Sequence, residues 1–211
     1  MPSSARTPST ADVVAKMLRD QIFSGKLLPG ARLVEGKISE EIGVSRVPVR
    51  EALHALASEG VVTIEPRKGA VVSSFSDQQI NELIEVRATL EALNAKLAAE
   101  RHDPHQMEAL NKILAEGAAL TGRDNLARIS KLNMAFHDAL GMIGANTILR
   151  ELLHSLRERT ALIFKSTDDA YIAKNWQEHE AILKAVIAGD GELAALLASR
   201  HVYSAARISK T

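Results

Sequence analysis

The sequence predicts a mainly α protein in two parts: a short N-terminal segment of three helices and a β-hairpin, then a longer all-helical segment. Three observations carry this. Apolar residues recur at helical spacing over most of the 211 residues, Ala and Leu abound while aromatic residues make up only 3%, and strand-like alternation is confined to residues 61–75. A chain of this length holds one large domain, or a small and a medium one.

Composition narrows the function classes. With 46% apolar and 25% charged residues the chain reads as a soluble globular protein. The 26 basic residues equal the 26 acidic ones, so any basic surface for a polyanionic partner must be local. The absence of cysteine excludes disulfides, thiol catalysis and thiolate metal sites, and points to a reducing cytoplasm. No apolar run has the length of a membrane span, and the opening "MPSSARTPST" lacks the apolar core of a signal peptide. Residues 1–10 are expected to form a disordered tail.

From residue 11 to 75 the elements follow in order. "ADVVAKMLRDQIFSG" sets Val14, Met17, Leu18 and Ile22 on one helical face and stops at Gly25. "LLPGARL" is a turn on Pro29 and Gly30. "EGKISEEIG" is a brief helix closed by Gly43, after which Ser45 can N-cap the next. Pro48 falls in that helix's first turn, where a missing N–H costs little. Gly60 ends it, and "VVTIE", "PRKG" and "AVVSSF" follow as a hairpin with two cations at its tip. Three helices and a hairpin in this order make a winged helix-turn-helix.

In such a motif the second helix lies in the major groove with its N-terminal residues against base edges. That position belongs to Ser45, Arg46 and Arg50, on the face opposite Val49, Leu53 and Leu56. Arginine can bond guanine O6 and N7 together, while serine and backbone N–H groups suit phosphates. Arg67 and Lys68 at the wing tip are placed to reach a neighbouring backbone or the minor groove.

From 76 to 211 helices are expected near 77–100, 104–120, 124–142, 146–165, 175–188 and 191–208, with Asp103, Asp124, Asn146 and Asp190 as N-caps. They read as one helical bundle. Of seven histidines, His54, His102, His105 and His154 fall on exposed faces or in breaks. The other three occupy places where the helical period demands an apolar residue: His137 in a stripe with Leu126, Ile129, Asn133, Phe136 and Leu140; His179 with Trp176, Leu183 and Val186; His201 with Leu193, Leu197 and Ile208. A single inward histidine is usually a hydrogen-bonded core residue, but three on consecutive bundle helices suit a divalent ion, zinc foremost, with nickel or another transition metal as alternatives. Arg87 falls among Ile80, Leu83, Ile84, Leu90 and Leu97, and a buried arginine needs an anion. Two partners are open: Glu91 one turn on, or a small carboxylate bound between Arg87 and the metal.

The stretch "PGARLVEGKISEEIGVSRVPVREALHALASEGVVTIEPRKGAVVS" resembles the DNA-binding domain of the GntR family of bacterial transcription regulators, and the chain as a whole resembles its FadR branch. The resemblance implies an all-α effector-binding and dimerisation domain after the winged head, a homodimer on an inverted-repeat DNA operator, and small organic acids as effectors. Carried over by position, it places DNA contacts at Ser45, Arg46, Arg50 and the wing glycine Gly69. The family's arginine in the short second helix is replaced by Gly36, leaving Lys37 and Arg32 as the cations nearby. Many FadR-type effector domains hold a divalent metal on three histidines and an aspartate one turn before the first. In "NMAFHDAL" the aspartate position is Asn133, a neutral and weaker donor. Two other readings stand beside this one: a regulator for which the metal is itself the signal, and a metal-dependent hydrolase in which Glu178 or Glu180 would serve as base.

Overall fold

The computed structural model describes residues 8–101, 104–120, 125–163 and 169–208; the expected caps Asp103 and Asp124, His102, residues 1–7 and residues 164–168 lie outside the described residues, as do the side chains of Leu126 and Ile208. Two compact units, Met1–Ser76 and Asp77–Thr211, make up the chain.

The first unit begins with α1 (Thr10–Phe23). Ser9 and Thr10, expected in the tail, instead open this helix. The Ser9 hydroxyl accepts from the Asp12 N–H and the Asp12 carboxylate accepts from the Ser9 N–H, satisfying donors that a helix start leaves unpaired. Helices α2 (Glu35–Ile42) and α3 (Arg46–Ser58) follow, joined through Gly43, whose φ of 75° is the left-handed conformation that lets the chain reverse after α2. Val14, Leu18 and Ile22 of α1 are buried, as are Val49, Leu53 and Leu56 of α3. An ion pair between Arg19 and Glu59, at 2.5 Å, ties the end of α3 to α1.

The sheet has three strands in the order β1 (Arg32–Leu33), β3 (Gly69–Val72), β2 (Val62–Glu65), all antiparallel. Strand β1 was not foreseen: "LLPGARL" reads as a turn, yet its last two residues pair with Val71 and Ala70. Two residues are too few for a period-2 pattern to show in sequence.

The second unit is a bundle of α4 (Asp77–Arg101), α5 (Pro104–Ala118), α6 (Leu126–Gly144), α7 (Thr147–Ala161), α8 (Asp169–Ile187) and α9 (Gly191–Ile208). Asn146 and Asp190 cap as expected, accepting from the N–H groups of Leu149 and Leu193 at 3.0 Å each. The core is formed by Ala95, Ala98, Leu110, Phe136, Leu140, Ile182, Leu183, Val186, Ala194 and Ala198. Alanines on α4 and α9 let these two helices pack closely. The inward face of α9 takes in the next positions as well as the expected ones: Ala194, Ala198 and Val202 are buried, His201 is buried and Leu197 packs on the core as expected, while Leu193 is exposed.

Candidate functional site

On the first unit the residues expected to meet DNA, Arg32, Lys37, Ser45, Arg46, Arg50, Arg67, Lys68 and Gly69, are all exposed. Ser45 stands at the N-cap of α3 with extended backbone, but its hydroxyl makes no capping hydrogen bond. Arg46 lies over Gly36: a Cβ added there would stand 3.5 Å from an Arg46 terminal nitrogen, so the missing side chain leaves room for this guanidinium. Arg50 forms a two-point ion pair with Glu35, a residue the sequence reading passed over. At the wing tip Arg67 has a φ of 66° and Gly69 of 78°, and Lys68 pairs with Glu65 at 2.7 Å.

On the second unit α6, α8 and α9 bring His137, His179 and His201 together, with ligand atoms all within 4.8 Å of one another. All three rings are buried, at 3%, 0% and 4% exposure. The Nε2 atoms of His179 and His201 are 3.2 Å apart, close to the separation of two imidazoles sharing one zinc at about 2.0–2.1 Å each. Phe136 stacks on His179 with ring centroids 4.3 Å apart, and Trp176 meets it edge-on, fixing the ring by packing.

Both nitrogens of His137, Nδ1 of His179 and Oδ1 of Asn133 are buried without a hydrogen-bond partner. A polar core would satisfy such atoms, because an orphaned buried acceptor costs about 1–3 kcal/mol. Burial, reinforced by Arg157 and the neighbouring histidine, holds His137 well below the usual histidine range, and burial and the other two rings do the same for His179. Neutral imidazoles are the form that binds a metal. His201 Nδ1 pairs with Glu178 Oε2 at 2.9 Å, which orients the ring with Nε2 towards His179. The donor set of three imidazoles fits a divalent transition metal.

Beside the triangle, Arg87 and Arg157 share Glu91, all three buried. Arg157 takes both Glu91 oxygens at 2.8 Å, and Arg87 approaches Oε1 at 3.5 Å while donating to Thr160 Oγ1 at 2.6 Å. Burial alone would raise the Glu91 carboxyl, but the two guanidiniums outweigh it and hold it at about 2. Glu91 Oε2 lies 3.8 Å from His137 Nδ1, so the charged cluster and the histidines adjoin. Glu91 is thus a real partner of Arg87, though it bonds Arg157 more closely. Sequence reading missed Arg157, yet Leu149, Leu153, Arg157 and Thr160 form one buried stripe on α7, the same signal that singled out Arg87.

The profile described as "Bacterial regulatory proteins, gntR family" matches residues 10–72, and that of the FCD domain matches residues 82–204. The chain belongs to the GntR family of bacterial transcription regulators. Among its relatives are the HTH-type transcriptional regulator LutR of Bacillus subtilis, 31% identical over 86% of this chain and 92% of that protein, and YdhC of the same organism, 30% identical over 80% and 77%. The gluconate operon transcriptional repressor of B. subtilis is 35% identical over 70% of this chain and 57% of its own. Escherichia coli McbR/YncC shares the fold at a TM-score of 0.78 and 24% identity, over 97% of this chain and 98% of that one. A GntR regulator from Rhodococcus sp. RHA1 does so at 0.73 and 25%, over 95% and 97%.

The regulator therefore binds DNA and is not an enzyme, and the hydrolase alternative falls. Its two candidate bases are occupied besides: Glu178 with His201, and Glu180, exposed, with Lys184 at 2.6 Å. Among the described residues no helix is long and apolar enough to cross a membrane.

Proposed function

We propose that this regulator is a cytoplasmic homodimer that binds an inverted-repeat operator through α3 and the wing and responds to a small carboxylate bound in its helical unit. His137, His179 and His201 would hold a divalent ion, with zinc the first candidate, and Asn133 would be the fourth donor. The ion supplies a Lewis-acid position that an effector carboxylate can complete. Arg87 would bond that carboxylate's other oxygen, and Arg157 would keep Glu91 occupied while it does. The observation that carries this reading is the triangle of three buried histidines, with orphaned nitrogens on His137 and His179, beside a buried arginine cluster. A ligand there changes DNA affinity only by its differential affinity for the DNA-competent and DNA-incompetent states.

The test begins with duplexes enriched by the protein from random DNA. Binding to the enriched duplex is measured with and without zinc and a panel of small carboxylates, including gluconate, the sugar acid named in one relative's operon. The reading predicts protection of two half-sites, an affinity that changes with one carboxylate only when metal is present, and loss of the carboxylate effect in Arg87→Ala. A response to metal alone would make the ion the signal. Protection of a single half-site by a monomer would contradict the dimer.

A further inference from the structure

Arg50 is not an unattached surface cation. Its Nε donates to both oxygens of Glu35, at 3.0 and 3.2 Å, and a terminal nitrogen donates to Oε2 at 2.8 Å. Glu35 is the first residue of α2, where the helix dipole favours a carboxylate. The hydrogen bonds from Arg50, joined by the charges of Arg50 and Arg46, hold the Glu35 carboxyl below its ordinary range. The pair joins the two helices of the helix-turn-helix across 15 residues of chain.

As a stabilising contact it is minor, because the Arg50 side chain is 60% exposed. Its geometry is the informative feature. A guanidinium has five N–H donors in a planar fork. Glu35 occupies the side-on edge, made of Nε and one terminal N–H. The end-on edge, made of the two terminal nitrogens, stays available, and this is the edge that can meet O6 and N7 of guanine with two parallel bonds. An arginine already held in one rotamer also gives up less entropy on binding. At the same time Glu35 brings a negative charge to a surface that approaches phosphates, which weakens sequence-independent binding.

We propose that Glu35 is a positioning residue for base reading: it holds the Arg50 fork by its side-on edge so that the end-on edge reads a guanine, and its charge suppresses binding to other DNA. This rests on the reading that α3 enters the major groove. The two effects have opposite signs when Glu35 is removed, and this separates the proposal from its rivals. A merely structural ion pair, whose removal takes away only the Glu35 charge, would tighten binding to both duplexes alike and leave their ratio unchanged. A clamp that Arg50 must leave in order to bind would make both specific and non-specific binding tighter on removal.

The experiment uses the full-length protein and the duplex it enriches from random DNA. Affinities of wild type, Glu35→Ala, Glu35→Gln and Arg50→Ala are measured for that duplex, its single-base-pair variants and a scrambled duplex, at several salt concentrations. Circular dichroism melts verify folding, and Glu35→Gln, which keeps one acceptor oxygen without the charge, serves if the alanine variant does not fold. The proposal predicts that Glu35→Ala lowers the enriched-to-scrambled affinity ratio by roughly tenfold. The loss should fall at the base pair where Arg50→Ala also loses discrimination, while scrambled-duplex affinity rises. Glu35→Gln should match it on scrambled DNA and lose less at the base pair. An unchanged ratio, or tighter binding to both duplexes alike, overturns the proposal. If Arg50→Ala itself leaves the ratio unchanged, the recognition-helix reading falls and this proposal falls with it.

Discussion

Glu91 accepts from Arg157 at two points and faces Arg87 and His137, so two buried guanidiniums and a histidine meet at one carboxylate. Removing one partner of a buried ion pair leaves an uncompensated charge, which costs about 3–5 kcal/mol. Glu91→Gln is therefore expected to destabilise the helical unit by that order in equilibrium urea unfolding, and a change below about 1 kcal/mol would show that the arginines find another anion. The buried histidines and Arg87 were legible in sequence because each polar residue interrupts an apolar period. Glu35 and Glu178 were not, since exposed or half-buried glutamates on helix faces look like ordinary solvation until the three-dimensional partner is known.

Helix boundaries were legible where a cap carries the signal, as at Asn146, Asp190 and Gly43. They were less so at α8, which begins at Asp169 rather than near 175. What sequence periodicity cannot give is how close two helices approach. Gly117 of α5 shows this: a Cβ at that position would lie 2.2 Å from the Trp176 ring of α8, far inside contact distance. Trp176 in turn packs edge-on against His179, so the α5–α8 crossing helps to seat a candidate ligand. Gly117→Ala raises helix propensity yet should destabilise the unit, by about 1–3 kcal/mol from overpacking. It should also weaken zinc binding. A stabilised variant would mean that the indole has room to shift.

At the scale of the whole molecule, a neutral chain places a set of exposed cations on α3 and the wing of one unit and a buried polar cluster in the other. The mainly α class, the winged head and the bundle could all be read from sequence, because turn glycines, the hairpin and helical periodicity agree across levels. The three-histidine centre gives this architecture a pH dependence of definite sign. His137 and His179 resist protonation when folded but take up protons when unfolded, so metal-free protein loses stability as pH falls through about 6.5. Glu91, at about 2 when folded, keeps its contribution above the ordinary carboxylate range and loses it as pH drops from about 4.3 towards 2. Denaturant melts of the metal-free protein from pH 8 to 5 are expected to show the first loss. Saturating zinc should reduce it near neutrality, and a flat profile in the metal-free protein would contradict the burial of neutral rings.

The most direct test of the metal-centred account is elemental analysis of protein purified without a metal-affinity tag or chelator, beside His179→Ala. Near-stoichiometric zinc, or another divalent transition metal, that is lost in the variant while its fold and DNA binding persist is the predicted result. A folded, DNA-binding wild type that carries no metal and gains none when zinc is supplied would contradict the account.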